Sequence, residues 1–555
     1  MPDTELARLR IGDILDRQVE RNGDRDCVAY PAQDVRFTYK QFRDRVDVVA
    51  RGLMALGVRK AEHVAIMAPN IPEWSLVQFA TARIGAVLVP LNTQYRAREL
   101  EAALRNSETT TLFLAPSADA PDPFATLREV LPDLDEAPVG HARFEKLPRL
   151  GRLISIGKRR HPSMLRFDDL FDLAIQSHPQ DYARRGEALD SFDVILLLFT
   201  SGTTDTPKGV MLTHRNCVVT AWNMAERLEV TQDERICAPV PFYHCMSSIG
   251  ASLAGALRGA CVVPVETFNP RTVLETIQAE RCTLLSAMPY MLAAMLDEPN
   301  LGSYDRSSLR KGVTGATPVP VPLAKLATEQ LGIPALTIGY GLTEATAAIT
   351  RSAPSDPPEK RLGTVGRALA NVQLKVVDAT GAPVASGIAG ELCCRGLGLM
   401  KGYFRDPEGT AEAIDPEGWL HTKDLATIDA DGYVNIVGRL RDMVVRRGEK
   451  IYPREVEIFL ALHPKIAEVH VIGVPLRGIG EDVCACVVLK GEATLDDAEV
   501  REYCKGHLQD SKIPTLVMVL RSFPLSAGGK ILKRELRKMA IERFGRQADA
   551  AETTA

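Results

Sequence analysis

The chain has little excess charge of either sign: 67 Lys and Arg against 71 Asp and Glu leave a formal net charge of −4 over 555 residues. It therefore lacks the basic field that nucleic-acid binding usually needs. It also lacks a long hydrophobic run. The most apolar stretch, Ile249 to Val265, carries Arg258 and Pro264 and falls short of the ~20 residues that span a bilayer as a helix. Glycine (41) and proline (35) are near average, which excludes collagen-like and linker-dominated chains. No Cys-x-x-Cys pair has zinc spacing, and the eleven cysteines are odd in number and scattered. Neither a zinc ribbon nor a secreted disulfide framework is expected. The cysteines read instead as reduced core residues. Cys484 and Cys486 alternate within an apolar run, and on a strand both would face one side. The N-terminus, Met1-Pro2-Asp3-Thr4-Glu5-Leu6, is acidic and has no apolar signal-peptide core, so the expected location is the cytoplasm.

What is present is an ordinary globular mixture, 45% hydrophobic and 25% charged, long enough for several structural units. Over the first 110 residues helical and strand patterns alternate. Phe42 to Leu56 has helical spacing closed by Gly57, His63 to Ala68 is a short apolar run, Pro72 to Ile84 is helical, and Ala86 to Leu91 is strand-like. That alternation predicts a layered α/β fold with parallel strands. From about Pro116 to Arg185 the pattern degrades into Pro-rich and Arg/Lys-rich segments, read as a surface excursion with a solvated basic cluster around Lys158-Arg159-Arg160. Val194 to Phe199 suits a buried strand. Beyond Gly366 shorter β segments and turns take over, and the last 110 residues form a small mixed unit. There a helix is expected from Pro453 to Leu462, with strands near Val469 to Val474, Val483 to Leu489 and Leu516 to Leu520.

The most informative stretch is Phe199-Thr200-Ser201-Gly202-Thr203-Thr204-Asp205-Thr206-Pro207-Lys208-Gly209. Hydroxyls, two glycines and a lysine after a buried strand can cradle phosphate: glycine frees backbone N–H groups to turn inward, hydroxyls donate, and Lys208 adds a point charge. Such a cluster is equally compatible with a plain loop, and it is not a Walker loop, because Gly209 follows the lysine. Four further clusters accompany it. Tyr340-Gly341-Leu342-Thr343-Glu344 offers an aromatic face, a hydroxyl and a carboxylate able to hold Mg²⁺. Trp419-Leu420-His421-Thr422-Lys423-Asp424 offers an acid for sugar hydroxyls, Gly438-Arg439-Leu440-Arg441-Asp442 a basic turn, and Ser526-Ala527-Gly528-Gly529-Lys530 a lysine on a glycine-rich loop. Singly, these could be a core tyrosine, a capping acid, a solvated arginine and a surface lysine. Together and in this order they point to nucleotide chemistry.

In this combination the chain resembles the adenylate-forming superfamily, and within it the acyl-CoA synthetase branch. The resemblance runs from Phe37-Thr38-Tyr39 to Gly529-Lys530-Ile531 and includes Ala68-Pro69-Asn70-Ile71-Pro72-Glu73-Trp74 and Gly448-Glu449-Lys450-Ile451-Tyr452-Pro453. It implies an N-terminal domain over 1–441, made of layered α/β subdomains and a β-rich subdomain, and a small α+β lid over 442–555 hinged near Asp442. It implies a ligase that joins a carboxylic acid to CoA through acyl-AMP, using ATP and Mg²⁺. Thr200, Ser201, Gly202, Thr203, Thr204 and Lys208 would hold the β- and γ-phosphates. Tyr340 and Gly341 would flank adenine on one side, with Gly315, Ala316 and Thr317 on the other. Thr343 would touch the α-phosphate, Glu344 would ligate Mg²⁺, and Asp424 would bind ribose with Arg439 assisting. His244, in Pro241-Phe242-Tyr243-His244, would close over the acyl pocket. Lys530 would neutralise charge building between carboxylate and α-phosphate. The loop from Arg446 to Gly448 would face CoA. Asp205, Lys423 and Arg447 stand where the family usually carries glycine.

Small residues at Gly315 and Gly339, with Ala287, Met288 and Ala345 nearby, predict an open apolar pocket for a medium-chain aliphatic or ring carboxylate. Competing readings are an acyl-AMP ligase that loads a carrier protein and a weakly catalytic nucleotide- or acyl-binding homologue. A dimer is the default expectation for assembly.

Overall fold

A computed structural model describes residues 3–200, 207–446, 449–476, 480–524 and 531–551. The chain forms two compact units, Met1–Leu374 with Cys394–Leu420, and Lys375–Cys393 with His421–Ala555. The expected α/β class is what forms. Among the described residues no helix is long and apolar enough to cross a membrane.

Two large sheets build the first unit. The nine-stranded sheet runs Arg367–Ala368, Thr350–Arg351, Ala335–Tyr340, Lys311–Gly315, Leu284–Ser286, Arg235–Ala238, Cys261–Pro264, Asp26–Tyr30 and Val35–Thr38 in spatial order. Its central pairs are parallel, and so are most in the eight-stranded sheet. The latter runs Gly402–Tyr403, Lys208–Thr213, Val194–Thr200, Val87–Pro90, His63–Met67, Thr111–Leu114, Arg152–Ser155 and Leu165–Arg166. The expected early elements form at Tyr39–Ala55, His63–Met67, Pro72–Ile84 and Val87–Pro90. The first of these helices is capped by Thr38, whose side chain accepts from the Gln41 N–H. Gly57 follows it at φ 87°, a left-handed position that suits glycine.

Asn70 follows the His63–Met67 strand by three residues and is 1% exposed. Its Nδ2 donates to the carbonyls of Val240 and Val265 at 3.0 Å each and to that of Ala238 at 3.4 Å. Its Oδ1 accepts from the Phe242 N–H at 2.7 Å. One side chain of the eight-stranded sheet thus ties down the segments that leave two strands of the nine-stranded sheet. Trp74, fully buried, stacks on Phe242 at 4.8 Å beside it.

The segment from Pro116 to Arg185 is not a surface excursion. It contributes a helix at Pro123–Val130 and the strands Arg152–Ser155 and Leu165–Arg166, which extend the eight-stranded sheet. Phe124, Leu127, Leu134, Phe144, Leu147 and Leu150 are buried in that sheet's core. Their irregular spacing, broken by prolines, gives no single period, so the pattern hides a core built partly by loops. The basic residues Lys158, Arg159 and Arg160 are exposed, as read.

Most of a four-stranded sheet, ordered Val372–Val377, Gly390–Gly396, Leu420–Ile428 and Val434–Arg439, belongs to the second unit. A five-stranded sheet is built around Gly480–Leu489, with Ile466–Leu476 antiparallel on one side and Leu516–Leu520 parallel on the other. Alternation along the central strand splits two cores. Val483, Ala485 and Val487 pack with Val456 and Leu460, whereas Cys484 and Cys486 pack with Ile472, Phe523, Leu536 and Phe544. All eleven cysteines are buried and none forms a disulfide.

Removing the Asn70 side chain would take this partner from the Val240 and Val265 carbonyls and the Phe242 N–H, each loss costing about 1–3 kcal/mol, whereas the Ala238 carbonyl keeps the Val265 N–H. Asn70→Ala is therefore expected to destabilise the first unit by about 3–5 kcal/mol, read as a lowered urea midpoint. A loss below about 1 kcal/mol would show that the clip is dispensable.

Candidate active site

In the first unit the predicted nucleotide residues sit at the carboxyl ends of parallel strands, where open α/β sheets place their ligands. Gly315 ends the strand Lys311–Gly315 and pairs in register with Gly339. A Cβ at Gly315 would collide with the Gly339 carbonyl oxygen, so the sequence supplies glycine where two backbones touch. Ala316 follows at φ 65° and, like Thr317, is exposed. Tyr340 ends the strand Ala335–Tyr340. At Gly341 a Cβ would strike the Ala347 carbonyl. The chain then makes a 3₁₀ turn at Thr343–Ala345 and passes through two left-handed residues, Thr346 (φ 55°) and Ala347 (φ 84°). Such strain persists only where neighbours over-determine the backbone. Here Thr346 Oγ1 donates to the Gly398 carbonyl at 2.6 Å, and the Met400 N–H to the Glu344 carbonyl at 2.8 Å.

Thr200 and Lys208 are paired across the hairpin formed by Val194–Thr200 and Lys208–Thr213. Ser201, Gly202, Thr203, Thr204 and Asp205 lie outside the described residues. Lys208 Nζ bonds Asp406 Oδ2 at 2.9 Å and lies 4.8 Å from the centre of the Tyr403 ring. Tyr403 in turn donates its hydroxyl to Glu344 Oε1 at 2.9 Å. The lysine and the carboxylate, far apart in sequence, thus meet on one tyrosine. The Lys208 hydrogen bond holds the Asp406 carboxyl below its usual range. Burial, then the Glu344 charge, pushes the Tyr403 phenol well above its usual value.

Tyr403 and Asp406 were not singled out from sequence. The available signal was Asp406-Pro407 opening a helix. Asp406 caps Pro407–Ala413 through the Gly409 N–H at 2.7 Å with one oxygen and binds Lys208 with the other.

His244 caps the short helix Cys245–Ser247, its Nδ1 accepting from the Met246 N–H at 3.1 Å. The neutral ring then carries its proton on Nε2. A π-helical turn, Ser248–Leu253, follows, a form that recurs at functional sites. Ala287 and Ala345 are buried and Met288 is partly so. A cavity of about 430 Å³ elsewhere in this unit is lined by Val35, Phe37, Leu76, Phe167, Phe171 and Glu73 among others. None of the residues expected around the acyl group lines it.

In the second unit Asp424 and Arg439 are register partners on adjacent antiparallel strands, and Arg439 Nε lies 3.1 Å from Asp424 Oδ1. Asp424 is nearly buried, with Arg439 half-exposed beside it. Lys423 adopts φ 60°, the conformation that a glycine would take without strain. Arg446 is engaged within its own unit: Nε lies 3.0 Å from Asp482 Oδ1, and Nη1 donates to the carbonyls of Ser511 and Ile513. Arg447, Gly448 and Lys530 lie outside the described residues.

Residues 15–404 match the AMP-binding enzyme family, and residues 455–530 match the AMP-binding enzyme C-terminal domain. The chain belongs to the AMP-binding enzyme family. YngI of Bacillus subtilis (strain 168), named as an acyl-CoA synthetase, is 42% identical over 97% of this chain and 98% of its own. The mitochondrial medium-chain acyl-CoA ligase ACSF2 of Mus musculus is 33% identical over 97% of this chain and 88% of its own. Among solved structures, ATP-bound MatB from Rhodopseudomonas palustris is 26% identical with a TM-score of 0.82, covering 96% of this chain and 99% of that one. The anthranilate CoA ligase AuaEII with anthranoyl-AMP is 25% identical with a TM-score of 0.83, covering 97% and 99%. This member of the AMP-binding enzyme family is an AMP-forming acid–thiol ligase, an acyl-CoA synthetase.

A left-handed lysine costs about 1–2 kcal/mol that glycine largely avoids. Because the Lys423 side chain is exposed, Lys423→Gly should raise the denaturation midpoint of the second unit by the equivalent of about 1 kcal/mol. An unchanged or lowered midpoint would show that contacts of the lysine outweigh its backbone strain.

Proposed function

We propose that this acyl-CoA synthetase activates a medium-chain aliphatic or ring carboxylate. The observation that carries the site assignment is the Lys208–Tyr403–Glu344 network: a cation from the phosphate loop and a hard oxygen ligand meet at the strand ends. In the first half-reaction a carboxylate oxygen bonds the α-phosphorus of ATP, the α–β anhydride bond breaks, and pyrophosphate leaves. In the second, the CoA thiolate bonds the acyl carbon, the C–O bond to phosphate breaks, and AMP leaves.

Lys208, with Thr200, Ser201, Gly202, Thr203 and Thr204, binds the β- and γ-phosphates. Gly315, Ala316 and Thr317 line one face of adenine and Tyr340 with Gly341 the other. Thr343 orients the α-phosphate, and Asp424 with Arg439 holds the ribose. His244 closes the acyl pocket against water. Glu344 would hold Mg²⁺: its carboxylate is half-buried, is oriented by the Tyr403 O–H, and is a hard oxygen donor of the kind this ion takes. Bound there, the ion would supply charge neutralisation on the phosphates. The C-terminal part, from a hinge near Asp442, alternates between an orientation that brings in Lys530 and one that turns Arg446 to Gly448 toward CoA. The small residues Gly315, Gly339, Ala287 and Ala345 support the apolar acyl preference, as does kinship with a relative named as a medium-chain ligase. Eleven buried thiols without disulfides suit a reducing compartment, the cytoplasm.

Two experiments test this reading. Pyrophosphate release is measured with ATP and a carboxylate panel, with and without CoA, for the parent and for Lys530→Ala. Medium-chain acids should exceed acetate at least tenfold in kcat/KM, since each buried methylene contributes about 0.8 kcal/mol. Lys530→Ala should lose about 10²–10³ in pyrophosphate release yet convert supplied acyl-AMP and CoA at near the parent rate. A preference for acetate, or equal loss in both half-reactions, would overturn the reading. Separately, Tyr403→Phe removes a hydrogen bond to a charged group, worth about 1.5–3 kcal/mol. It should raise the KM for MgATP roughly tenfold with a lowered thermal midpoint but a parent-like circular dichroism spectrum; an unchanged KM would remove Tyr403 from the site.

A further inference from the structure

The second unit holds a cluster that nucleotide chemistry does not use. Glu391 and Cys393 stand two apart on the strand Gly390–Gly396, so they share one face of the sheet. His421 lies across from them on Leu420–Ile428, the strand next in the sheet. His421 Nδ1 is 3.5 Å from Cys393 Sγ and 2.9 Å from Glu391 Oε2. The three donor atoms all lie within 4.8 Å of one another.

We propose that Glu391, Cys393 and His421 form a Zn²⁺ site. A tetrahedral zinc with bonds of about 2.05 Å to nitrogen or oxygen and 2.3 Å to sulfur sets N···S near 3.6 Å and N···O near 3.4 Å. The observed N···S spacing already matches, and the N···O pair needs to open by about half an ångström. One sulfur, one imidazole nitrogen and one carboxylate oxygen make the mixed, borderline-soft set that zinc prefers over magnesium or calcium. The supports that such sites use are also in place. Glu391 Oε1 accepts the Lys423 N–H at 3.0 Å, which turns Oε2 toward the ring nitrogen. Thr422 Oγ1 donates to the Leu392 carbonyl at 2.7 Å, which pins the two strands together between the ligands. Cys393 is fully buried, while the His421 and Glu391 side chains are 29% and 16% exposed. Metal therefore enters from the histidine side, and water completes the fourth position. On binding, the thiol releases its proton to solvent and sulfur coordinates as thiolate.

The test is titration of the purified full-length protein with Co²⁺, a spectroscopic stand-in for Zn²⁺, followed by displacement with Zn²⁺. One equivalent per chain should bind with a near-ultraviolet thiolate-to-cobalt charge-transfer band that Zn²⁺ abolishes. Cys393→Ser should lose that band, His421→Ala and Glu391→Gln should weaken binding at least tenfold, and Cys486→Ser should leave it unchanged. Absence of the band in the parent, or its persistence in Cys393→Ser, would overturn the proposal. Should Cys393→Ser fail to fold by circular dichroism, His421→Ala and Glu391→Gln decide: parent-like affinity in both would overturn it.

Discussion

The first unit depends on one buried amide. Asn70 is where the eight-stranded sheet grips the segments leaving the nine-stranded one, through three carbonyls and one N–H. Buried polar groups are tolerated only when paired, so the three carbonyls and the amide together specify the relation between the sheets. Pro241-Phe242-Tyr243-His244 begins at that clip, and its phenylalanine is wedged against Trp74. The histidine proposed to close the acyl pocket is thus placed by a residue of the other sheet. A segment held from behind in this way would need little reorganisation in that proposed role.

Much of this was legible in the sequence because the informative residues are local. Parallel strands buried on both faces read as short apolar runs, and helices between them have periodic stripes, so the alternation through the first 110 residues could be followed closely. Alternation also predicted that Cys484 and Cys486 share a face, and both lie in one core. Pro116 to Arg185 was misjudged because its buried residues come from loops and from strands of two to four residues, too short to show a period. At the site, the glycines at 315 and 341 stand where backbones approach closely, and their positions were marked by motif. Tyr403 and Asp406 were missed for the opposite reason. Their importance lies in contacts to residues 59 and 198 positions away, and no local pattern announces a long-range partner.

Two of the cations proposed to bind nucleotide, one in each unit, are not waiting in solvent. Lys208 sits on Asp406 and Arg439 on Asp424. Each cation is therefore held in position by an anion of the protein, at modest energetic cost because these pairs are partly exposed. In the role proposed for Lys208, triphosphate, with its higher charge density, would exchange one anionic partner for another rather than recruit a free lysine. Asp406 remains fixed by the Gly409 N–H in the process, so the helix it caps does not depend on whether its lysine stays.

The central strand Gly480–Leu489 feeds two separate cores through alternate residues. Loss or gain of one residue in this strand would shift every side chain beyond it to the opposite face. Valines shaped for one core would meet the space left by cysteines in the other. The strand can accept many single replacements of similar volume, yet it has almost no tolerance for a change in length. A change in length would have to be taken up in its flanking turns.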